Sequence, residues 1–166
     1  SVTGAIATSS NTTLTASTGT ISTGSIATSS TLTLSAPSAA GTISTGALTS
    51  TTTRTVTLSS GGSIALNTTT APVLSVTSTA GSITQTGVVT STSSAALTAL
   101  ADITLTNVGN DFNTVVLSGG ASATAGNGIQ ITDKNDIVLG SGTNPVAPTT
   151  VIAGAGIAAY TVGVPT

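Results

Sequence analysis

The stretches GTIS (19–22), GTIS (41–44), GSIA (62–65) and GSIT (81–84) decide the fold. Each is a glycine, a small residue, an isoleucine and another small residue. The isoleucines stand at 21, 43, 64 and 83, in steps of 22, 21 and 19 residues, and Ile103 follows 20 residues later. A second series runs in parallel: GAIATSS (4–10), GSIATSS (24–30), GALTS (46–50) and GVVTS (87–91). Its steps are 20, 22 and 41, the last covering two periods with one degenerate copy. A third series alternates Thr, apolar, Thr, as TLT (13–15), TLT (31–33), TVT (55–57) and TLT (104–106). Self-similarity at a fixed period of this length marks a stacked repeat.

Each period carries three short segments in which apolar and small polar residues alternate, separated by Gly, Ser or Thr turns. Alternation with a period of two is the strand signature. Thr, Val and Ile favour strands because β-branched side chains pack well on a pleated surface. No segment holds helical apolar spacing over a helix length. A segment of four or five residues buries nothing alone, but the same segment stacked from successive periods forms apolar columns. Three strands in about 20 residues predict an all-β, triangular parallel β-solenoid of about seven coils. Each coil rises about 4.8 Å. Outward Thr and Ser are expected to form hydroxyl ladders between coils. An antiparallel sandwich is disfavoured, because residues 1–100 contain no Asn-Gly or Asp-Gly hairpin signal.

Composition removes whole classes of function. Among 166 residues there are 39 Thr, 24 Ser, 23 Ala and 19 Gly. The six charged residues are Arg54, Lys134, Asp102, Asp111, Asp133 and Asp136, and His, Cys, Met, Trp and Glu are absent. Imidazole and thiolate metal sites are therefore impossible, as is a triad that uses His or Cys. Two cations and a net charge of −2 do not make a nucleic-acid surface. A disordered, O-glycosylated stalk is opposed by the scarcity of Pro, five residues, and by a positive mean hydropathy. No apolar run reaches the ~18 residues of a membrane span.

The texture changes near residue 101. All four Asp and six of the eight Asn lie beyond it. The longer gap from Ile103 to Ile129 predicts an expanded coil with a loop at NDFN (110–113). Residues 1–142 read as one solenoid with two textures, and 143–166, with three of the five Pro, as an irregular closing coil or extended segment.

The stretches ITQTG (83–87), ADITLTNVGNDFNTVVLSGG (101–120) and GIQITDKNDIVLGSG (128–142) resemble the repeats of filamentous-haemagglutinin-like bacterial exoproteins and autotransporter passengers. The resemblance covers roughly 81–142; residues 1–80 fit by period and composition. It implies a right-handed parallel β-helix, secretion, and a function at the cell surface or in the matrix, commonly adhesion. It carries over no catalytic site.

The candidate site residues read mostly as structure. Asp133, Asn135 and Asp136 offer oxygen ligands, but calcium needs six to eight, and Lys134 sits among them; a solvated turn between strands at 129–132 and 137–139 fits better. Asn110, Asp111 and Asn113 fit a turn whose side chains cap backbone groups, with Phe112 plugging the interior. Asp111 and Asp133, about one coil apart, are the conceivable acid–base pair, whereas Asp102 and Asp136 have no basic partner in register. Irregular Thr-x-Thr steps of 18, 24 and 49 oppose an ice-binding face. Asn11-Thr12-Thr13 and Asn67-Thr68-Thr69 are glycosylation sequons. Arg54 is expected to be outward and solvated.

The expectation is thus a non-enzymatic, extracellular structural repeat, a rod segment of a bacterial surface exoprotein. It has no catalytic, metal or cofactor site, no nucleic-acid partner and no membrane span. Its partners are further repeats or copies of itself stacked head-to-tail, with the apolar stretch 151–164 covering or extending into a neighbouring end. The alternative is an adhesin that binds glycan through a lateral face.

Overall fold

The computed structural model describes residues 4–119, 128–140, 149–153 and 156–160. All its regular structure is strand, in three parallel sheets whose strands follow one another in chain order. Face one holds Ile6–Thr8, Ile26–Thr28, Leu48–Ser50, Thr69–Thr70, Val89–Ser91 and Asp111–Phe112. Face two holds Thr12–Thr15, Leu32–Ala36, Thr55–Ser60, Val73–Ser78, Ser94–Ala99, Thr114–Gly119, Asp136–Leu139 and Gly156–Tyr160. Face three holds Thr20–Ser22, Thr42–Ser44, Ile64–Leu66, Ile83–Gln85, Ile103–Leu105, Ile129–Asp133 and Thr149–Ala153. The chain visits the faces in that order on each turn, so six complete coils form the expected triangular β-solenoid.

Register makes the core. The first series is one column on face three: Ile21, Ile43, Ile64, Ile83, Ile103 and Ile129 pair in succession. All six are buried. The second series is a column on face one, Ile6, Ile26, Leu48, Thr69 and Val89. Its degenerate copy is Thr69, fully buried, whose Oγ1 donates to the Asn67 carbonyl at 3.0 Å. Threonine has the shape of valine, and that bond lets it stand in the column. Each fully buried Leu or Ile contributes about 1.5–3 kcal/mol of transfer free energy.

Three of the glycines that lead the anchors, Gly41, Gly62 and Gly81, have no room for a side chain. A Cβ at Gly41 would lie 2.4 Å from the Ala36 carbonyl oxygen, and one at Gly81 2.5 Å from the Ser63 nitrogen. At Gly41 the crowding comes from its own corner, whereas at Gly81 one coil's backbone lies directly on the next; at both only glycine fits.

Three expectations are corrected. The third series is out of phase. Leu14 pairs with Leu34, and Leu34 with Leu58, whereas Leu32 pairs with Thr12 and Val56. TLT (104–106) begins on face three, where Leu105 pairs with Ile131. A two-residue shift preserves the inward–outward alternation, so the pattern alone does not separate these registers. The expanded coil also does not loop at NDFN. Asp111–Phe112 is a strand of face one, one step of 21 residues after Thr90–Ser91. Face two repeats after 20 residues at Ala95–Val115, and face three after 26 at Ile103–Ile129, so the extra residues fall between those faces. Hydroxyl ladders are the third. Among the described residues one hydroxyl pair bridges coils, Thr20 to Thr42 at 2.9 Å, and most inter-coil hydroxyl bonds run to main-chain groups.

Of residues 143–166, Thr149–Ala153 pairs with Ile129–Asp133, and Gly156–Tyr160 with Asp136–Leu139. The side chains of 151–164, proposed to meet a neighbouring end, lie outside the described residues.

Candidate functional site

Gln85, Asn110, Asp111, Asp133 and Lys134 meet at one edge of the lower coils, where face three turns into face one. Asn110 occupies the inward column of face one, directly before the Thr90–Asp111 pair, and is fully buried. Its Oδ1 accepts from the Val89 N–H and from Gln85 Nε2, both at 2.9 Å. Its Nδ2 donates to Gln85 Oε1 at 2.9 Å and to the Leu105 carbonyl at 3.1 Å. All four hydrogen-bonding positions of the amide are used. In the coils above, the corresponding N–H binds a main-chain carbonyl of the next coil, as Leu48 binds Thr68 and Thr69 binds Val88, both at 2.8 Å. Asn110 replaces that carbonyl with a side chain.

Asp133 does the same one coil lower. It is 2% exposed. Its Oδ2 accepts the Phe112 N–H at 2.6 Å, and its Oδ1 the Asn135 N–H at 3.0 Å. Asp102 is the third instance. Along the outer edge of face three, Ser63 Oγ accepts from Ser82 N at 3.2 Å, Ser82 Oγ from Asp102 N at 3.3 Å, and Asp102 Oδ1 from Gly128 N at 2.9 Å. The carboxylate extends a staircase that serine begins. Its signal in the sequence is ADIT where earlier coils read GSIA and GSIT.

Asp111 is the outward member of the group. Its Oδ2 lies 2.8 Å from Lys134 Nζ, and its Oδ1 accepts from Asn135 Nδ2 at 3.2 Å. The Lys134 hydrogen bond holds its carboxyl below the ordinary carboxylate value; partial burial works against this, and the Asn135 bond and the Lys134 charge reinforce it. Between Ser91–Thr92, Asp111–Asn113 and Asn135–Asp136 lies an open groove of about 450 Å³.

The sequence candidates sort as follows. Lys134 and Asn135 form the expected turn between strands, and among the described residues no three carboxylates are grouped to hold a metal ion. Asp111 and Asp133 do come to one edge, but both oxygens of each are engaged. Asp136 is exposed at the groove. Phe112 is fully buried, as expected. Asn113 reaches back to the Thr92 carbonyl at 3.4 Å. Asn11 and Asn67 are both exposed; the sequon hydroxyl of Thr13 is exposed as well, whereas Thr69 is buried. Arg54 is outward. Gln85 and the capping role of Asp102 were missed, since their partners lie 25 and 26 residues away.

A family described as "Repeats of unknown function (DUF5649)" matches residues 53–119. The match starts just before one strand of face two and ends with another, three coils on. Neither a curated protein nor a solved structure matches the chain. Among the described residues no helix is long and apolar enough to cross a membrane. The chain is a repeat protein with a parallel β-solenoid fold.

Proposed function

We propose that the chain is a non-enzymatic structural repeat, a rod segment of a bacterial exoprotein at the cell surface or in the extracellular matrix, that stacks head-to-tail on further repeats or on copies of itself. The observation that carries this reading is the unbroken register of three parallel ladders through six coils. Backbone hydrogen bonds then run along the rod axis, which makes the rod stiff. Its first five coils carry two charged side chains, Arg54 and Asp102, so little on that surface titrates or responds to salt. The resemblance of residues 81–142 to secreted exoprotein repeats supports the location. The engaged oxygens of Asp111 and Asp133 support a role without catalysis. A glycan-binding lateral face is less favoured, because sugars are usually held on aromatic platforms and Phe112 is buried.

Negative-stain microscopy and sedimentation of the isolated chain test the assembly. Fibres, or rods longer than one chain, are the expected outcome. A stable monomer at micromolar concentration, with Ile6 and Leu14 in ordered strands, counts against it. Binding on a glycan array would favour the adhesin.

A further inference from the structure

The three faces do not end together. From the end of a face-three strand to the start of the next face-two strand, the chain spends nine residues after Ser22, ten after Ser44, six after Leu66, and eight after both Gln85 and Leu105. Each of those connections contains a face-one strand. After Asp133 the connection is two residues, Lys134 and Asn135. Two residues make a turn and leave no length for a strand. The solenoid therefore changes at Asp133 from a three-sided coil to a two-sided one, and Asp111–Phe112 is the last rung of face one among the described residues.

A last rung leaves its N–H groups facing an absent neighbour, and an open strand edge invites pairing with another chain. Here the edge is closed. The Phe112 N–H, which in the register of face one points at the next coil, binds Asp133 Oδ2 at 2.6 Å. The Asn110 carbonyl accepts from Lys134 N at 2.9 Å. Phe112 closes the core beneath the same rung: its column is Thr28, Ser50, Ala71 and Ser91 in the coils above, and the one large side chain stands where no next rung follows.

We infer that Asp133 is the stop of the third side: its carboxylate takes the place of the missing ladder carbonyl, so that any coil stacked beyond it pairs along faces two and three only and finds no edge to extend on face one. This rests on the stacking reading only for what lies beyond; the stop itself is internal to the chain.

Amide hydrogen exchange, followed by NMR on the full chain, tests it. In the wild type the Phe112 amide is expected to be as slow as that of Ile103; exchange at the rate of an exposed edge amide overturns the inference without any variant. In Asp133→Ala, exchange at Phe112 is expected to accelerate about 10–100-fold, the range for losing a hydrogen bond to a charged acceptor. Ile43 and Ile64 are expected to keep their rates. Asp133→Asn retains an acceptor oxygen and is expected to stay within about threefold of wild type. Equal rates at Phe112 in all three proteins overturn the inference. If the chain proves monomeric, the stacking reading fails while these exchange rates stay as expected, so the two failures are separable.

Discussion

The upper coils, residues 4–82, and the lower coils, residues 83–140, share the same ladders but close their corners with different chemistry. In the upper coils hydroxyls do the work: Ser60 Oγ donates to the Gly41 carbonyl at 2.7 Å, Ser78 Oγ to that of Gly62 at 2.8 Å, and Thr45 Oγ1 accepts from Asn67 N at 3.2 Å. In the lower coils the same corners are held by Asn110, Asp102 and Asp133. A hydroxyl is short and offers one donor. An amide offers four bonds, and a carboxylate reaches further and accepts several. Two of these longer groups stand where the coil is irregular. Asp102 meets Gly128 across the 26-residue step, and Asp133 meets Phe112 where face one ends. The regular upper coils close with Ser and Thr; at the change of period and at the change of cross-section a carboxylate stands in for a displaced carbonyl.

The largest effects test what the two regions share. Ile64→Asp in the upper coils and Ile103→Asp in the lower ones each bury an unpaired charge in the same column, at a cost of several kcal/mol, about 4 or more. Urea unfolding is expected to show comparable losses. Thr57→Asp, whose side chain points outward between buried Val56 and Leu58, is expected to cost under about 1 kcal/mol. A loss at Thr57 as large as at Ile64 would mean that the inward–outward phase of face two is wrong.

The next test separates the regions. Asn110→Leu leaves the Val89 N–H, the Leu105 carbonyl and the Gln85 amide without their partner, which at about 1–3 kcal/mol for each buried orphan, partly relieved by relaxation, amounts to about 3 kcal/mol. Ser60→Ala, at a corner of the upper coils, removes a single bond and is expected to cost about 1 kcal/mol. In the pair Gln85→Leu/Asn110→Leu the two losses are expected to be less than additive, because each side chain is the other's partner. Strict additivity would show that the reciprocal amide contact does not form.

Why the first half of the molecule was legible and the second was not follows from the same contrast. Ile21, Ile43 and Ile64 declare their column because an isoleucine flanked by small residues has one place to go. The fold class and two of the three registers came from such residues. The third register failed at Leu14 and Leu32, where Thr-Leu-Thr-Leu repeats every two residues and two alignments bury equally well. Asn110 and Asp133 read as turn residues because an amide or carboxylate in isolation prefers a turn. Their burial becomes visible only when the strand register places Asn110 in line with Val89. The match to residues 53–119 spans only regular coils.

Thr23 probes the upper coils for an imperfection. Its Oγ1 is buried without a partner, whereas Thr45, one coil on, accepts from Asn67 N. An unpaired buried hydroxyl costs stability, so Thr23→Val, of the same shape, is expected to raise it by about 1 kcal/mol. Thr45→Val is expected to lower it by a similar amount. A rise in the urea midpoint for one and a fall for the other, with equal slopes, confirms that partnership rather than shape decides. A fall for both variants would mean that the Thr23 hydroxyl is bonded in solution.

The smallest effect belongs to the one ion pair described, Asp111 with Lys134. Lys134 holds the Asp111 carboxyl below its ordinary value of 3.8. A depressed carboxylate adds stability that is complete above the ordinary value and is lost as the pH falls through the lower, folded one. The groups are 32% and 50% exposed, and pairs in such positions contribute between nothing and about 1 kcal/mol, less in high salt. Lys134→Ala is therefore expected to lower the urea midpoint slightly near neutral pH. The gap from wild type is expected to narrow in about 1 M salt, where the screening length is about 3 Å, and to close in acid below the folded value. Asp133 carries no basic partner and binds main-chain N–H groups instead, so Asp133→Ala is expected to keep most of its cost in high salt. A salt-insensitive loss for Lys134→Ala would place Lys134 with the buried groups that hold the last rung, not with the solvated surface of the rod.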